Sequence, residues 1–100
     1  MDGITWTDVR AQIPQALIAE NAEAGSRRVK ARLRIDRASA KPYQCTFTLW
    51  DGEERADTWE REYGGRRGFT SAIQGYYQRK EASERWLQGE WIGSVKGKGW

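Results

Sequence analysis

Two guanidiniums, Arg66 and Arg67, are framed by three glycines in the run Gly64-Gly65-Arg66-Arg67-Gly68. Glycine lets the backbone turn sharply, and the run stands before a predicted helix whose first amides favour phosphate or carboxylate. The chemistry on offer is the binding of anions. The run lacks the Lys-Ser/Thr ending of phosphate-binding ATPase loops, so it carries no signature of nucleotide hydrolysis.

Other reactive residues are sparse. The chain has no histidine, which removes the commonest general base and every histidine-containing triad or metal site. Its one cysteine, Cys45, builds neither a disulfide nor a zinc site, and its place on the apolar side of a predicted strand points to burial. Glu60 and Glu62 fall on one face of another predicted strand, about 7 Å apart. Paired carboxylates can do acid–base work, but here they read as a solvated polar face. Asp51, Glu53 and Glu54 crowd a turn without the spacing of a calcium loop. No cofactor, metal or catalytic set is indicated, and a non-catalytic protein is expected.

These groups must be positioned by a single domain, since one hundred residues leave room for one. The expected domain spans residues 1–92, followed by a Gly/Lys-rich tail over 93–100. Thr5 or Thr7 can cap an opening turn, with Asp8 behind it. Val9, Ile13 and Leu17 recur every four residues. Pro14 cannot sit inside a helix but suits its first position, so a main helix is predicted from Pro14 through the alanine-rich stretch to Ala24, stopped by Gly25. Val29, Ala31, Leu33 and Ile35 alternate with Lys30, Arg32, Arg34 and Asp36, the period of a strand with one charged face. Tyr43, Cys45, Phe47 and Leu49 repeat the pattern after a loop at 38–42. Asp51-Gly52 marks a turn into a third strand over 56–63. Thr70 or Ser71 can cap a closing helix that ends near Gly89 and contains Gly75, which weakens it by about 1 kcal/mol relative to alanine. The prediction is an α+β fold, α-β-β-β-α, a three-stranded antiparallel sheet packed against an N-terminal and a C-terminal helix.

The formal charge of +3 is unevenly spread. Residues 26–37 hold six basic residues against Asp36, whereas residues 51–62 hold six acidic residues against Arg55 and Arg61. Two kinds of partner follow. A nucleic acid could be met by Arg32 and Arg34 on the wet sheet face, by Arg66 and Arg67 at a helix start, and by Arg79, Lys80, Lys96 and Lys98, with Trp50 or Tyr77 stacking on bases. The acidic stripe would repel its phosphates. A protein could be met by the same residues, because Trp, Tyr and Arg dominate interface hot spots and charge stripes favour rapid docking. A protein partner is the first expectation, at a site of Arg66, Arg67, Arg32, Arg34, Trp50 and Tyr77. Trp91 and Trp100 flank the tail. The lone cysteine, the acidic start (Asp2, Asp8) without a basic-then-apolar leader, and the lack of a long apolar run suggest a cytoplasmic protein.

The predicted element order is similar to that of double-stranded-RNA-binding domains. That family's histidine-containing loop has no counterpart at 38–42, and only Arg66 and Arg67 stand where it uses a lysine cluster, so no site residues carry over. In size, element order and lack of catalytic residues the chain resembles small phage-encoded inhibitors of the anti-CRISPR type. That resemblance implies blocking: a rigid body occupying the place where a host complex holds nucleic acid.

Overall fold

Period-two alternation dominates the chain more than its composition suggests. In a computed structural model, which describes residues 3–90, the elements run β1 (Thr7–Asp8), a 3-10 turn (Arg10–Gln12), β2 (Ala16–Ala24), β3 (Arg27–Ile35), β4 (Tyr43–Asp51), β5 (Glu54–Tyr63) and α1 (Gly68–Leu87). The strands form one antiparallel sheet in chain order, β1-β2-β3-β4-β5. The expected α-β-β-β-α order is therefore corrected: among the described residues the sheet has five strands and the α-helix is C-terminal. The topological likeness to double-stranded-RNA-binding domains falls with it. The boundary at residue 92, the 93–100 tail, Lys96, Lys98, Trp91 and Trp100 lie outside the described residues.

The segment expected to be the first helix is β2. Helix propensity is a weak preference that tertiary pairing overrides. Here β2 pairs along its length with β3, and the two are joined at Ala24↔Arg27 by the two-residue turn Gly25-Ser26. Gly25 has φ 61°, and glycine at the first position of a two-residue hairpin turn is what a type II′ geometry requires. Gly52, at φ 63°, does the same between β4 and β5, where Asp51 pairs with Glu54. Pro14 precedes a strand rather than opening a helix.

Paired residues in an antiparallel ladder share a face. Val29, Ala31 and Leu33 of β3, with Cys45, Phe47 and Leu49 of β4, are fully buried or nearly so on one side of the sheet. Helix α1 covers that side, presenting Ala72, Tyr76, Ser83 and Leu87 along one stripe with Trp86 beside it. It starts at Gly68, after Arg67, with no side-chain cap, so Thr70 and Ser71 lie within it rather than before it. Phe47 is the hub of an aromatic cluster, 5.1 Å from Tyr76 and 6.2 Å from Trp59 between ring centroids.

The second helix expected against the sheet is replaced by smaller ties. Ile4 and Trp6 pack against the core, and the Trp6 indole donates to Glu84 Oε2 at 2.8 Å. Arg27 donates to the carbonyl of Trp86 at 2.7 Å and lies 4.7 Å from its ring. A cation at a helix C-terminus is favoured by the helix dipole, so Arg27 joins the β2–β3 turn to the end of α1.

A candidate binding face on the open side of the sheet

The other side of the sheet has no helix among the described residues. The register sorts its side chains into columns. Arg28, Lys30, Arg32 and Arg34 of β3 stand beside Trp50, Thr48, Thr46 and Gln44 of β4. These in turn stand beside Arg55, Thr58, Glu60 and Glu62 of β5. A neutral lane thus divides a basic column from one that ends in two carboxylates. Two strand spacings put the columns about 10 Å apart, beyond the roughly 8 Å Debye length of physiological salt.

Cations and anions on neighbouring strands of one sheet can simply neutralise one another. Among the described residues no ion pair joins them; the ion pairs are Arg27–Asp51, Lys80–Glu20 and Arg85–Glu81, none on this face's basic column. Its guanidiniums bond to backbone carbonyls instead. Arg28 donates to Gly52 at 2.9 Å, Arg32 to Ala31 at 2.8 Å and to Glu20 at 3.1 Å, and Arg34 to Pro14 at 3.2 Å. A carbonyl fixes a guanidinium without cancelling its charge. Burial pulls the pKa of Arg32 below its usual value, and the Tyr76 phenol partly opposes that shift. Trp50 is half-buried on this face, its indole N–H has no partner, and the Arg28 guanidinium lies 5.6 Å from its ring. An open hollow of about 330 Å³, lined by Arg55, Ala56, Asp57 and Thr58, adjoins the bulge opposite Trp50.

The six expected site residues do not converge. Arg32, Arg34 and Trp50 share the open face, though six residues of strand, about 20 Å, separate the Arg34 and Trp50 positions. Arg66 and Arg67 are exposed in the loop before α1. Tyr77 lies on α1, on the other side of the sheet, 53% exposed and edge-on to Tyr76 at 5.3 Å. Phe69, which the sequence reading did not single out, is equally exposed on α1, edge-on to Tyr43 at 5.6 Å.

A half-buried polar cluster also escaped the sequence reading. Glu20 faces inward from β2, accepts from Tyr76 at 2.7 Å and pairs with Lys80 at 2.8 Å. Burial, then the bond to Glu20, pushes the Tyr76 phenol well above its usual pKa. A glutamate directly after Leu17, Ile18 and Ala19 was the available signal, but its partners lie more than fifty residues away. The cluster ties the edge of the sheet to the helix.

The candidate reactive groups find structural places. Burial pushes the Cys45 thiol up to about 12, so it stays protonated, and it is 1% exposed. Glu60 and Glu62 are exposed, with Gln44 donating to Glu62 at 3.4 Å. Asp51 accepts from Ser26 at 2.7 Å and pairs with Arg27 at 3.8 Å, holding adjacent turns together. No helix among the described residues is long and apolar enough to cross a membrane. The chain matches no family model, no curated protein and no solved structure.

Proposed function

We propose that this chain is a non-catalytic binding protein that occupies a surface of a protein partner through the open face of its sheet. The observation that carries the reading is the basic column of β3, whose arginines are held by backbone carbonyls and keep their charge. Side chains already fixed lose less entropy on binding. The complementary partner presents carboxylates opposite β3 and cations opposite Glu60 and Glu62. A protein can meet both columns at once, whereas a phosphate backbone matches one and is repelled by the other. The resemblance to small phage-encoded inhibitors, left with size and lack of catalytic residues once the element order is corrected, adds a form of action: occupancy of a host nucleic-acid-handling complex such as a CRISPR effector, met in the cytoplasm.

Charge reversal tests the reading. Lys30→Glu combined with Arg34→Glu should slow association with a partner captured from the native host by ten-fold or more, while Arg66→Ala with Arg67→Ala should act less. Equal binding by the Lys30/Arg34 variant refutes the open face. Direct nucleic-acid binding is the other outcome: affinity for generic duplex or single strands that falls steeply with salt would replace the protein partner.

A further inference from the structure

On the helix-covered side, at the β5 edge of the sheet, two arginines meet at one tryptophan. Arg61 projects from β5 and Arg79 comes down from α1. Their guanidinium carbons lie 5.8 Å and 4.8 Å from the centroid of the Trp59 ring. Arg79 feels the charges of Arg61, Cys45 and Tyr63, and Cys45 and Tyr63 feel that of Arg79. Cys45 is the cross-strand partner of Arg61, and Tyr63 is two residues further along β5. Cys45, Arg61 and Tyr63 thus stand to one side of Trp59 along the sheet. Among the described residues no carboxylate forms an ion pair with either arginine.

Two N–H groups at this place are unused. Trp59 is 7% exposed and its indole Nε1 is buried without a hydrogen-bond partner. The Nε of Arg79 is likewise buried and unpartnered. Buried donors in native proteins are nearly always satisfied, so each of these N–H groups calls for an acceptor. Two orphans beside a pair of like charges share one remedy, a negatively charged acceptor. Burial lowers the pKa of Arg79 first, the Tyr63 phenol opposes that shift, and Arg61 lowers it further, the balance a bound anion would reverse. Arg61 is exposed, so the place opens to solvent.

We propose that Arg61 and Arg79, beside the unused indole N–H of Trp59, form a receiving site for a compact tetrahedral oxyanion: phosphate, free or as a monoester. The guanidinium fork matches two oxygens of such an anion, and the indole N–H can serve a third. This site lies on the opposite side of the sheet from the open face and is independent of it.

The test is a titration of the full chain with inorganic phosphate, at ionic strength held constant with chloride, read by NMR at the indole N–H of Trp59 and the Nε–H of Arg79. The Trp59 signal is assigned with Trp59→Phe. A saturable shift of both signals is expected, weakened at least ten-fold in Arg61→Gln and in Arg79→Gln and unchanged in Arg85→Gln, an exposed arginine paired with Glu81. A parallel titration with methyl phosphate separates the sources. Equal affinity assigns the monoester, and loss of binding assigns the free ion. Absence of a saturable shift in the wild-type chain overturns the site, as does an Arg79→Gln variant that retains the wild-type affinity. Because the wild-type signals carry the first arm, a variant that fails to fold leaves the test intact.

Discussion

Replacing Gly75 with alanine sets two effects of known sign against each other. Gly75 lies inside α1, where glycine costs about 1 kcal/mol relative to alanine. On propensity alone Gly75→Ala stabilises. But a Cβ at this position would collide with the Tyr63 hydroxyl and come within 3.1 Å of the ring carbon that bears it. Tyr63 is half-buried and packed against the core, and a tyrosine retreats only by moving its whole ring. Overpacking of this kind costs about 1–3 kcal/mol. Net destabilisation of about 1 kcal/mol is therefore expected, a fall in Tm of about 4–8 °C for a domain of this size. Tyr63→Phe removes the hydroxyl and leaves the ring. In that background Gly75→Ala should cost close to nothing or stabilise, giving a coupling of about 1–2 kcal/mol in a double-mutant cycle. Urea unfolding of the four proteins measures it. If Gly75→Ala stabilises the wild-type chain, or if the two changes are additive, the close approach of Tyr63 to the helix is wrong.

Alkaline unfolding should begin near pH 9. The folded state holds the Cys45 proton up to about 12 against 9.0 for an ordinary thiol. The unfolded chain gives up its proton first, so stability is full below pH 9.0 and falls as pH rises toward about 12, at about 1.4 kcal/mol per unit. Tyr63 and Tyr76, both raised, add to the slope above the ordinary tyrosine value of 10.0. In Cys45→Ala the pH dependence below that value should flatten by about one proton, and an unchanged slope would count against a buried thiol. Tyr76→Phe should cost about 1–3 kcal/mol in urea unfolding by stripping Glu20 of a hydrogen bond; an unchanged midpoint would mean Lys80 satisfies that carboxylate alone. Phe47→Ala should cost about 3–5 kcal/mol, a large share of the 5–15 kcal/mol typical of a domain, and native-like thermal unfolding of that variant would contradict its place at the centre of the core.

The middle of the fold was legible because its strands alternate cleanly. The side chains of β3 and β4 keep apolar residues on one face without exception from Val29 to Leu33 and from Cys45 to Leu49. The start was not legible, for three physical reasons. A bulge between Ala16 and Ile18 shifts the register of β2. Its inward face carries Glu20, whose burial is compensated by Tyr76 and Lys80 far along the chain. Its outward face carries Ala19, which is fully buried, so apolar residues fall on both sides and the period of two is blurred. Gly25-Ser26 was the readable sign of a hairpin, masked by reading Gly25 as a helix stop. For the candidate sites, residue type found the basic column, but local spacing could not show that backbone carbonyls, rather than carboxylates, hold it. Nor could it show that Arg61 and Arg79 share one tryptophan, since a helix brings them together from eighteen residues apart.

The meander has a consequence for synthesis. Each strand from β2 onward pairs with the one made just before it, so the sheet can zip up hairpin by hairpin as the chain leaves the ribosome. The lid follows the sheet: α1 begins at Gly68, after the five described strands are complete. Until it emerges and docks, Val29, Leu33, Phe47 and Leu49 form a bare greasy slab. A nascent chain stalled before residue 68 is thus a natural client for chaperones, and an early stop codon there yields a sheet prone to stick to its neighbours.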